Sequence, residues 1–70
     1  MSYDIDVNWD DEARVWYAVC DSIPIALESN SFDALIERVK VAAFEILELN
    51  GNIVENTQLH FKTNRLEKIA

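Results

Sequence analysis

FDALIERVKVAAFEILEL, residues 32–49, is the stretch that decides the fold. Phe32, Leu35, Ile36, Val39, Ala43, Ile46 and Leu47 recur at the three-and-four spacing that lines one face of an α-helix. Ser31 stands ahead of them as an N-cap, Asp33 lies in the first turn where the helix dipole favours an acid, and Asn50-Gly51 supplies the stop. A lone amphipathic helix is marginal in water, so the segments on either side must build the surface that buries its stripe.

Upstream, Tyr3, Ile5, Val7 and Trp9 alternate with Asp4, Asp6 and Asn8, the period of two that marks a half-buried strand. A short polar connection, DDEA, leads into a second strand from Arg14 to Cys20, rich in β-branched and aromatic residues. The two form a hairpin. With a two- or four-residue loop centred on Asp11 and Glu12, Trp9 pairs with Arg14, Val7 with Trp16, Ile5 with Ala18 and Tyr3 with Cys20. Tyr3, Ile5, Val7, Trp16, Ala18 and Cys20 then share the face assigned to the helix. On the other face Val15, Tyr17 and Val19 lie opposite Asn8, Asp6 and Asp4, an apolar ridge flanked by carboxylates. A one-residue slip would exchange the two faces. Whichever face the helix takes, the second strand is apolar on both sides, more than an antiparallel sheet with one wet face needs. The ridge is therefore expected to be covered by something.

Asp21-Ser22 break the second strand and Pro24 fixes the backbone at the corner. Ile25 to Glu28 form a short third strand. After the helix, Asn50-Gly51-Asn52 turns the chain, and Thr57, Leu59, Phe61 and Thr63 alternate with Gln58, His60 and Lys62 as a fourth strand. The expected architecture is α+β in the order β-β-β-α-β, an antiparallel sheet with one helix packed on one face. Residues 1–64 make a single domain, and 65–70, RLEKIA, a short tail that is frayed or forms a helical turn. On the helix, Val41 falls opposite the centre of the stripe and Phe44 well to one side, read as tucked at the core margin in preference to an oligomer contact.

The net charge is −7 and unevenly placed. Residues 1–56 carry twelve acids against Arg14, Arg38 and Lys40, while 57–70 carry Lys62, Arg65 and Lys68 against Glu67. An acidic body repels phosphate backbones, so it is not expected to bind nucleic acid, and it would attract a basic protein. A charge excess also serves solubility alone. Seventy residues support one small core, which makes homo-oligomerisation an expectation. No stretch approaches the roughly 18 apolar residues of a membrane span, and the acidic MSYDIDVNWDDEA is unlike a secretory signal; the expected location is the cytoplasm. The single Cys20 can form no internal disulfide and reads as a small buried residue.

Convergent catalytic groups are scarce. His60, the only histidine, lies between Gln58 and Lys62 on the polar side of its strand, without a second His or a Cys as partner. Asp4 and Asp6 share a side of the first strand and Asp10, Asp11 and Glu12 crowd the turn, a pattern open to acid/base or divalent-metal work but better read as a solvated hairpin, since calcium loops bend at a glycine. The only glycine is Gly51, so no phosphate-cradling loop exists. No enzyme, cofactor or metal is expected.

Trp9-Asp10-Asp11-Glu12-Ala13, Val15-Trp16-Tyr17-Ala18, Asp21-Ser22-Ile23-Pro24, Leu27-Glu28, Ser31 and Glu48-Leu49-Asn50-Gly51 together resemble the small bacterial domains of unknown function grouped with HicB-like antitoxins. Those domains have an acidic turn, a V-W-x-A strand, a D-x-P corner, an acidic third strand, a capped helix and an E-L-x-x-N-G end. The likeness covers about two-thirds of the chain. Ile25 follows Pro24 where the corner usually continues with glycine. The resemblance implies a β-β-β-α-β domain and a role in masking a small basic RNA-cleaving toxin. It implies no DNA binding, because the DNA-binding segment that follows this domain in full antitoxins has no counterpart here. Asp4, Asp6, Val15, Tyr17 and Val19 are the expected partner-binding residues, in a small cytosolic protein-binding module. The competing reading is a stand-alone structural or oligomeric domain whose ridge is covered by its own copy.

Overall fold

In the computed structural model, which describes residues 2–52 and 54–69, the stripe of the central segment lies against a sheet as its spacing demands. The helix, α1, runs Phe32–Leu49 and buries Leu35, Val39, Ala43 and Leu47, one residue per turn along a single face. Its ends are chemically defined. The Ser31 hydroxyl accepts a hydrogen bond from the Ala34 N–H at 3.2 Å, satisfying one of the donors that the first turn leaves unpaired. At the other end Gly51 adopts φ +76°, with its N–H donating to the Glu48 carbonyl at 3.1 Å and the Asn52 N–H to the Leu47 carbonyl at 2.9 Å. This is the Schellman arrangement, which needs a left-handed residue past the helix and therefore favours glycine. Ser31→Ala is expected to lower stability by about 1 kcal/mol, read as an earlier urea midpoint with an unchanged slope.

Four strands form the sheet: β1 Ser2–Asp10, β2 Val15–Cys20, β3 Ile25–Ser29 and β4 Gln58–Asn64, in the spatial order β3-β2-β1-β4. β1 and β2 are antiparallel, as are β2 and β3, but β4 runs parallel to β1. The sheet is thus mixed, in contrast to the wholly antiparallel one expected. The reason is topological. β3 already points the same way as β1, α1 carries the chain back across the sheet, and β4 starts again in the direction of β3. Its place at the far edge, beside β1, makes that pairing parallel.

The hairpin departs from expectation in register. Arg14, expected to open the second strand opposite Trp9, sits at φ 59° in the turn instead. Its N–H donates to the Asp10 carbonyl at 2.7 Å, while the Asp10 carboxylate accepts from the N–H groups of Glu12 and Ala13 at 3.1 and 3.2 Å. Asp10 thereby organises the turn through its own side chain. Trp9 consequently pairs with Trp16 and Val7 with Ala18, two residues from the expected register. Because side chains alternate with period two, a shift of two leaves the face assignment intact.

The covered face joins Ile5 and Val7 of β1, Ala18 and Cys20 of β2 and Ile25 of β3 to the buried stripe of α1. Ile23, at the corner between β2 and β3, joins them at 1% exposure. The Ile25 N–H donates to the Ile23 carbonyl at 2.6 Å across Pro24, a tight three-residue turn that suits the fixed φ of proline and swings Ile23 inward. Cys20 is buried and free. α1 packs chiefly on β3 and β2, and Arg38 ties it to the edge by donating from Nη1 to the Glu28 carbonyl at 2.8 Å.

One end of this layer is aromatic. Trp16 stacks edge-on against Phe32, ring centres 5.0 Å apart, and against Trp9 at 5.3 Å. Arg65 lies over them, its guanidinium carbon 4.2 Å from the Trp9 ring centre and 5.4 Å from that of Trp16. Residues 65–69 form no helical turn, but their first side chain is anchored on the tryptophans.

Candidate interaction surface

α1 covers one face of the sheet, and β2 presents Val15, Tyr17 and Val19 on the other. Tyr17 is 39% exposed and Val19 38%. The register places Tyr17 between Asn8 of β1 and Glu28 of β3, Val19 between Asp6 and Ala26, and Val15 beside Asp10. A shallow hollow of about 330 Å³ runs between β2 and β3, with Tyr17, Val19, Ala26 and Glu28 among its lining residues. All five expected partner-binding residues, Asp4, Asp6, Val15, Tyr17 and Val19, lie on this face.

Their electrostatic states differ. The parallel pairing with β4 puts His60 next to Asp4 and Lys62 next to Asp6 in register. Asp4 meets both side chains: its Oδ1 lies 3.3 Å from His60 Nδ1 and its Oδ2 3.3 Å from Lys62 Nζ. These groups are more than half exposed, so the pairs contribute little to stability, but they reduce the negative potential that Asp4 offers to a partner. Asp6 makes no ion pair among the described residues and keeps its charge free beside Val19. On the opposite flank Glu28 holds a second carboxylate, without an ion pair among the described residues, beside Tyr17. Glu28 is absent from the expected site residues; the signal that places it there is the register of β3 on β2. His60 thereby has Asp4 as a structural partner. Among the described residues, no group of three or more His, Cys, Asp or Glu is placed to hold a metal ion, and no helix is long and apolar enough to cross a membrane.

A second apolar exposure lies on the helix layer. Phe44 is 49% exposed and overhangs a groove of about 300 Å³ toward β4, lined with Val54, Leu59 and Phe61. Phe44 is not among the side chains packed against the core, because α1 sits chiefly over β3 and β2 and leaves the β4 side partly open.

These elements define a small two-layer α+β domain whose sheet is packed on one face and open, apolar and acidic on the other. The chain belongs to the family described as a domain of unknown function, DUF1902, whose model matches residues 2–70. It is similar to the hypothetical protein TTHA1013 from the extremely thermophilic bacterium Thermus thermophilus, known from a crystal structure. The two share 30% identity with a TM-score of 0.80, over 99% of this chain and 100% of that one. No curated protein matches the chain.

Proposed function

We propose that this chain is a non-catalytic, cytoplasmic protein-binding module of HicB-like type, and that its open sheet face masks a small basic protein in the manner of an antitoxin. The observation that carries this reading is the Val15-Tyr17-Val19 ridge flanked by the free carboxylates of Asp6 and Glu28. An apolar centre supplies contact area, and aromatic residues are favoured where interfaces concentrate their energy. Unpaired acids beside it would steer a cationic partner and select against anionic ones. Asp4 contributes less, being held by His60 and Lys62. The family resemblance names the partner class, an RNA-cleaving toxin, whose basic surface is suited to nucleic acid and hence to an acidic mask.

The test is a titration of the partner against the native chain and a double variant. Tyr17→Ala with Asp6→Lys is expected to weaken binding at least a hundredfold, about 3 kcal/mol, and raised salt to weaken the native complex. Unchanged affinity in the double variant would exclude this surface. The second reading, a structural domain whose ridge is covered by its own copy, rests on the exposure of Tyr17 and Val19. In that case self-association would be lost on Tyr17→Ala with no basic partner present.

A further inference from the structure

Two features of the chain complement one another without touching. The first is the segment after β4. Arg65 is anchored on Trp9, and beyond it Leu66 and Ile69 are 92% and 103% exposed. Lys68 makes no ion pair among the described residues. Residues 65–69 are all exposed and outside regular structure, in an elongated chain whose radius of gyration is 13.3 Å with extents of 49 × 19 × 18 Å, whereas a compact chain of this length has a radius of about 11 Å. An exposed segment that carries two bare aliphatic side chains and a free cation is unsatisfied as it stands.

The second feature is a groove of about 420 Å³ on the β3 side of α1. Leu27, Val41 and Ala42 supply its apolar surface, with Val41 57% exposed; Glu37, Glu45 and Arg38 stand at its rim, Arg38 being engaged with the Glu28 carbonyl at 2.8 Å. Glu37 is paired loosely with Lys40 at 3.4 Å, while Glu45 has no ion pair among the described residues. The acids decide what can lie here. A second copy's helix would bring its own Glu37, Glu45 and Glu48 against them, and like charges at close range oppose that packing. A segment with aliphatic side chains and a free lysine meets both requirements, since the acid of residues 65–69, Glu67, is already held by Arg65 at 2.6 Å.

We infer that residues 65–69 of one chain dock in the Val41 groove of a second copy, with Leu66 and Ile69 on the apolar floor and Lys68 against Glu45. If the segment closes into a helical turn on docking, Leu66 and Ile69, three apart, point the same way. Reach argues against the chain filling its own groove. Phe32 marks the helix end near Trp16 and Arg65, and Val41 lies about 13 Å further along the axis. The groove is on the β3 side, and β4 is at the opposite sheet edge, three strand spacings or about 14 Å away. Four residues beyond Arg65 span at most about 14 Å, which is less than the two displacements combined. Exchange between two copies is reciprocal, so each gives one segment and receives one, closing a two-fold dimer. The open sheet face is not used, and the dimer would display two of them.

The experiment is light scattering at tens of micromolar, with circular dichroism to confirm folding. The native chain is expected to be a dimer, and Leu66→Glu with Ile69→Glu to raise its dissociation constant at least tenfold while leaving the spectrum unchanged. Lys68→Glu alone should weaken the dimer, and Glu45→Lys combined with it should restore it. In a Cys20→Ala background, chains carrying Val41→Cys mixed with chains carrying Ile69→Cys should cross-link to a disulfide dimer. A monomeric native chain, a dimer indifferent to L66E/I69E, or a chain carrying both cysteines that links only within itself would each overturn the inference. A dimer lost on Tyr17→Ala but indifferent to the segment would place the contact on the sheet face instead, again overturning it.

Discussion

Leu35→Ala is expected to remove between about a third and about three-quarters of the domain's stability at 25 °C. Leu35 is fully buried as the first residue of the α1 stripe, among the residues that join the helix to Ile5, Val7 and Ala18. Removing three buried carbons loses their transfer free energy and leaves a cavity that a close-packed core only partly refills, typically about 3 kcal/mol. A chain of seventy residues has a total stability of only about 4–10 kcal/mol, so the loss is a large fraction of the whole. Thermal unfolding should fall by about 15 °C or more. The comparison is Lys40→Ala on the exposed side of the same helix, expected to stay within about 0.5 kcal/mol of the native chain in denaturant titration. Equal losses at the two positions would mean that the helix is rotated on the sheet.

The second large effect separates adjacent residues of β2. Trp16→Ala should cost about 3 kcal/mol, because it removes edge-on contacts with both Phe32 and Trp9 and part of the surface on which Arg65 rests. Tyr17→Ala should cost no more than about 1 kcal/mol, since its side chain lies on the open face. The loss should appear in denaturant titration as a shifted midpoint for Trp16→Ala and almost none for Tyr17→Ala. This pair of substitutions is a direct test of which face of the sheet carries the helix. A reversed order would put Tyr17 in the core and remove the basis for a binding surface there.

The helix is legible residue by residue, from Phe32 to Leu49, because three independent signals agree on it: the period of the stripe, the Ser31 cap and the Asn50-Gly51 stop. The faces of β1 and β2 are legible for a related reason, since alternation survives the two-residue error in register. That error comes from Arg14. A left-handed arginine carries no compositional mark, and Asp10 enforces it through side-chain hydrogen bonds that a pattern of apolar residues does not encode. The parallel placement of β4 is not legible either: alternation states which side chains share a face, but not which edge the strand joins. Ile23 escapes as core because a single apolar residue in a turn has no period to betray it. On the candidate surface, the ridge is readable from β2 alone. The pairing of Asp4 with His60 and Lys62, and the arrival of Glu28 beside Tyr17, depend on which strands flank β1 and β2. Arg65 on Trp9 joins residues far apart in the chain, a contact invisible to local pattern.

The measurement that bears most directly on the open face as a binding surface is native mass spectrometry of what the tagged chain retains from a lysate of its own cells, at low and high salt, beside the Tyr17→Ala, Asp6→Lys variant. Retention of a small basic protein at low salt, its release at high salt and its absence from the variant are the expected results. Identical proteins on both chains, or self-oligomers alone that salt does not move, would contradict the account.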